Sequence, residues 1–221
     1  MAWGLGVGML IVGIMFIFFA VIIFKETRTH RFWRSRVEEG DLEMIRQLVQ
    51  GEVDRWSRER PPKGVSGGVW QGVQGAELVA VGVDYIHVSA TAEPHFATID
   101  GVRRQVSGAL EEAKWITGRL AERLFYDVPH VRPDRVQIDI YTTFHEVGGE
   151  VNQRCIMSTL AGRRAAADID WDDDSPESIA ATLGARYQVD ERGLAAPIEP
   201  AVAPVRPSAN GAPPDGSPDA S

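Results

Sequence analysis

Residues 136–145 read VQIDIYTTFH, an alternation without a break. Val136, Ile138, Ile140, Thr142 and Phe144 point to one side, and Gln137, Asp139, Tyr141, Thr143 and His145 to the other, the period of two that a pleated strand imposes. The pattern predicts one face in the core and one in water, the usual presentation of an antiparallel sheet. Gly148-Gly149 permits a reversal, and residues 152–160 return as the antiparallel partner.

Upstream of this pair, residues 77–83 and 85–92 are strand-like with turn material between them, which predicts a second hairpin; a short strand at 96–100 follows the break at Pro94. Residues 109–126 form the clearest helix, with Leu110, Ala113, Ile116, Thr117, Leu120 and Leu124 along one face. Pro129 and Pro133 close its exit. Downstream, Asp174-Ser175-Pro176-Glu177 opens a helix with a cap, an early proline and a carboxylate near the positive dipole end; it is expected to run to about Tyr187. Strands, helix, strand pair and helix in that order predict an α+β fold, a mostly antiparallel sheet with two or three helices on one face, over residues 76–189.

Three segments flank this domain. Residues 41–60 place Leu42, Ile45, Val49, Val53 and Trp56 three or four apart, an amphipathic helix whose mixed-charge polar face favours a protein neighbour over a bilayer, within the chain first and a second copy next. Residues 61–75, rich in proline and glycine, read as a linker. Residues 190–221 carry many prolines and alanines and no aromatic residue, so they are expected to be a disordered tail.

Residues 1–24 contain no charged side chain. From Trp3 to Phe24 the run is long enough, at about 1.5 Å per residue, to cross a hydrocarbon core of about 30 Å. It passes directly into the basic juxtamembrane segment 25–40, with Lys25, Arg28, Arg31, Arg34 and Arg36, and lacks the small-residue cleavage site of a signal peptide. The expectation is a retained single-pass anchor with its N-terminus outside and the domain cytoplasmic, since basic flanks stay inside. Trp3 suits the outer interface and Trp33 the inner one. Gly4 and Gly8 would let two copies of the helix approach, so a homo-oligomer is compatible with the span. The preponderance of arginine over lysine points to a bacterial source, hence an inner membrane.

The chain of 221 residues leaves room for one ordinary soluble domain. Its net charge of −8, despite the basic segment, disfavours nucleic-acid partners, because phosphate neutralisation needs clustered cations. A single cysteine, Cys155, excludes an internal disulfide and multi-cysteine zinc sites. No cofactor signature is present: there is no P-loop, no GxGxxG before a helix, no GxSxG and no HExxH.

The densest chemical cluster is residues 168–174, DIDWDDD, whose oxygen-rich side chains suit a hard divalent cation. Its spacing is not that of a calcium loop, and its last members serve equally to start the following helix. Two functions of different class are therefore expected. The first is a membrane-anchored adaptor, assembly component or recruited effector that binds an unidentified protein through Gln137, Asp139, Tyr141, Thr143 and His145, and is not an enzyme. The second is a tethered metal-dependent hydrolase built on Asp168, Asp170 and Asp172 with help from His145.

Overall fold

The protein is described by a computed structural model covering residues 36–37, 39–99, 101–145 and 148–202. In chain order its elements are α1 (Leu42–Trp56), α2 (Gly67–Gln74), β1 (Glu77–Val81), β2 (Tyr85–Thr91), β3 (His95–Ile99), β4 (Val102–Ser107), α3 (Ala109–Tyr126), β5 (Arg135–His145), β6 (Val151–Gly162), α4 (Arg163–Ala166), α5 (Pro176–Thr182), β7 (Arg186–Val189) and β8 (Ala195–Ala196). The fold is α+β, as expected, with a mostly antiparallel sheet and five helices among the described residues. None of these helices is long and apolar enough to cross a membrane, and the apolar run at 1–24 lies outside the described residues.

The main sheet runs β1-β2-β5-β6-β7-β8. The alternating strand β5 pairs antiparallel with β6 from Arg135 opposite Gly162 to His145 opposite Val151. β1 and β2 form the predicted hairpin. β2 lies parallel to β5, because the chain between them crosses over through α3. The face bearing Ile86, Val88, Val136, Ile138 and Ile140 joins buried residues of α1, α2, α3 and α5 in one core. Burial of that apolar face is the dominant stabilising term, at about 25 cal/mol per Å².

The apolar stripe of the first helix is taken up by this core: Ile45, Val49, Val53 and Trp56 are all buried. Asp41 caps it, accepting from the Met44 N–H. This packing within the chain is the first of the two expectations for this helix. The expected linker at 61–75 is corrected, because α2 occupies most of it. Its glycines permit contact: a Cβ on Gly72 would stand 2.2 Å from Ile116 Cδ1 and 2.9 Å from the Thr91 carbonyl oxygen. Arg123 of α3 fastens these pieces together, with its guanidinium over the rings of Trp56 and Trp70 and 2.8 Å from a carboxylate oxygen of Glu59.

Three further boundaries differ from expectation. The strand expected at 96–100 is half of a separate two-stranded ribbon, β3–β4, inserted before α3. The helix opened by Ser175, whose side chain accepts from Ser178 N–H, ends at Thr182. Gly184 then takes a left-handed turn (φ 71°), and the strand-forming residues 186–189 join the sheet as β7. Finally, residues 190–202 of the expected disordered tail are placed: they turn at Gly193, pair as β8 and continue across the sheet.

Candidate functional site

The polar side of β5 is where sequence and structure diverge most. Gln137 and Asp139, expected on a wet contact surface, are 2% and 1% exposed. The extension 197–202 covers them. Gln137 Nε2 donates to the Ala201 carbonyl (2.6 Å), Ala201 N–H donates to Ser158 Oγ (2.8 Å), and Ile198 N–H donates to the Cys155 carbonyl (2.8 Å). The extension is thus held by its main chain, which a proline- and alanine-rich segment presents without needing side-chain pockets.

Asp139 is the centre of the network beneath. It accepts from Ser158 Oγ (2.6 Å) and Gln137 Nε2 (2.9 Å) and lies 2.7 Å from His87 Nε2. Tyr85 donates its hydroxyl to Gln137 Oε1 (2.7 Å). Three partners satisfy a buried carboxylate that would otherwise be costly to desolvate. Burial and the nearby Asp139 charge push the Tyr85 phenol up to about 12. The same causes push the Cys155 thiol up to about 11, and raise Tyr141 above its usual value.

These values limit the chemistry. Cys155 is a neutral thiol donating to the Met157 carbonyl (3.3 Å), which makes it a packed residue and a poor nucleophile. Ser158 gives its proton to Asp139 and accepts from Ala201, and among the described residues no imidazole is bonded to it. His87 Nε2, 2.7 Å from Asp139 Oδ2, is engaged with that carboxylate and not with Ser158. His87 lines an open groove of about 370 Å³ together with Glu77, Ser89, Thr91, Tyr141 and Gln153. This groove is what remains of the expected wet face. Thr143 sits beyond it, bonded through N–H and Oγ1 to Glu93. His145 ends β5, and its side chain lies outside the described residues.

The acidic segment is closed on itself. Asp170 Oδ1 accepts from the N–H groups of Asp172 and Asp173, and Asp174 Oδ2 accepts from Asp170 N–H. Ile169 is buried, and Trp171 packs edge-on against Tyr126, so the segment is a tight turn pinned by its apolar members. Asp168, Asp170 and Asp172 are exposed and are not brought together; among the described residues no group of three His, Cys, Asp or Glu is placed to hold a metal. Of the expected membrane-interface residues only Arg36 is described, 3.7 Å from Asp41 at the start of α1; Trp3, Lys25, Arg28, Arg31, Trp33 and Arg34 lie outside the described residues.

A second concavity escaped the sequence reading. The β3–β4 ribbon, α2 and α3 enclose a cleft of about 350 Å³ whose lining includes Val65, Val69, Val106, Trp115 and Glu112. Glu112 is 3% exposed and accepts from the hydroxyls of Ser66 and Ser107. Its signal was present in the sequence: it stands four residues before Ile116 and eight before Leu120, a carboxylate in an apolar row. Compared with known proteins, the chain matches no family model, no curated protein and no solved structure.

Proposed function

We propose that this chain is a single-pass membrane-anchored protein whose cytoplasmic α+β domain binds another protein, as an adaptor, assembly component or recruited effector. The observation that supports it best is the β3–β4 ribbon. Among the described residues it pairs only with itself, and its Val102 and Val106 are each 54% exposed, with Phe96 at 43% and Trp115 of the adjoining helix at 37%. The valines and Phe96 stand on a ribbon outside the main sheet: Val102 shares its face with Arg104, and Phe96 lies on the other face with the Arg103 guanidinium 4.7 Å from its ring centroid. Exposed apolar side chains interleaved with arginines are the composition of a protein contact site.

The hydrolase alternative on Asp168, Asp170 and Asp172 has less behind it, because the Asp170 carboxylate serves the turn that contains it, accepting from the Asp172 and Asp173 N–H groups, and Asp168 and Asp172 are not gathered with it. A photoreactive residue at position 102, in the full chain in its native membranes, tests the leading reading. A discrete adduct that disappears with Val106→Asp is expected. Uniform background labelling, unchanged by that substitution, would count decisively against it.

A further inference from the structure

Glu112 is a buried carboxylate with no ion pair among the described residues. Its two partners are neutral hydroxyls, and a carboxylate has about four acceptor positions, so roughly half of its capacity is unused. The N-terminal turn of α2 beside it supplies about half a positive charge at most. Gly68 in that turn keeps the oxygen clear, since a Cβ there would lie 2.9 Å from Glu112 Oε2. The cleft wall above is apolar, formed by Val65, Val69, Val106 and the indole of Trp115.

The remaining charged groups stand around the cleft without neutralising the carboxylate. Arg119 is held by Glu122 at 3.1 Å and Lys63 and Glu111 are exposed; the His95 ring stands beside Gly68, as Glu112 Oε2 does, but makes no ion pair with Glu112 among the described residues. A buried anion of this kind favours a cation that brings its own apolar stem. Guanidinium suits it better than ammonium, because its planar fork matches two free carboxylate positions and stacks on an indole face.

We propose that this cleft receives an arginine side chain of the partner protein, with the guanidinium on Glu112 and the stem against Val69, Val106 and Trp115. The inference rests on the protein-binding reading and names the chemistry of its contact. The test uses the full-length protein in detergent micelles and two probes, N-acetyl-arginine methylamide and its uncharged citrulline counterpart, followed by the Gly68 amide and Trp115 indole NMR signals. Saturable shifts with the arginine probe are expected, with at least tenfold weaker binding of the citrulline probe.

Glu112→Gln keeps hydrogen-bonding capacity toward Ser66 and Ser107, and should weaken the arginine probe at least tenfold. Val106→Lys, on the exposed ribbon where the core is untouched, places a competing cation in the cleft and should have the same effect. Equal binding of the two probes, no binding of either, or full arginine binding in both variants would each overturn the proposal. If the position-102 adduct persists in Glu112→Gln while arginine binding is absent from the unmodified chain, this inference fails and the protein-binding reading stands.

Discussion

Asp139 is the residue at which the local pattern misleads. Alternation along β5 states which side of the sheet the carboxylate is on, and that was right. What covers that side is set by residues 197–202, more than fifty positions away and without periodicity of their own. The raised values of Tyr85 and Cys155 make the burial measurable. Both groups hold their protons more tightly folded than unfolded, so their contribution is fully present below about pH 9 and is lost as pH rises through about 11 for Cys155 and about 12 for Tyr85. Urea midpoints should therefore fall between pH 9 and 12. Tyr85→Phe should start about 1 kcal/mol less stable at pH 8, having lost the bond to Gln137, and should decline less steeply above pH 10.

Among the elements, those with strong internal periodicity were legible and those shaped by neighbours were not. α1, α3 and the β5–β6 pair sit within a few residues of their expected bounds, because each carries its own amphipathic pattern. α2 was hidden by its glycines, which signal flexibility in isolation but here allow backbone to approach Ile116 and Thr91. Gly72→Ala tests that explanation: helix propensity alone would stabilise by up to about 1 kcal/mol, whereas overpacking against Ile116 and the Thr91 carbonyl should destabilise by about 1–3 kcal/mol net. A denaturation midpoint that rises would mean the glycine is there for another reason. The β3–β4 ribbon was half seen, since β4 has no alternation to announce it: Val102 to Gln105 are all exposed.

For the whole molecule, the sequence disclosed the fold class and left the site to be found. The face that sequence reasoning nominated is mostly closed by the chain itself, and the cleft at Glu112 depends on three elements meeting that no local pattern predicts. The closure can be opened experimentally. A chain ending at Leu194 should lose about 1–3 kcal/mol, because Gln137, Ser158 and the Cys155 carbonyl all lose partners. Its Cys155 should also react with a maleimide many times faster than in the full chain; unchanged labelling would mean the extension does not guard that face. The manner in which Arg123 clasps Trp56 and Trp70 has a further consequence, for biosynthesis. α1 follows closely behind the apolar run and leaves the ribosome early, yet the arginine that clasps its last turn is made roughly 70 residues later, a wait of several seconds at about 5–20 residues per second. Throughout that interval the Trp56 ring lacks its cationic cover, although β1, the helix's main neighbour, follows within about 25 residues, so the newborn chain carries this one indole uncovered until its domain is about half translated.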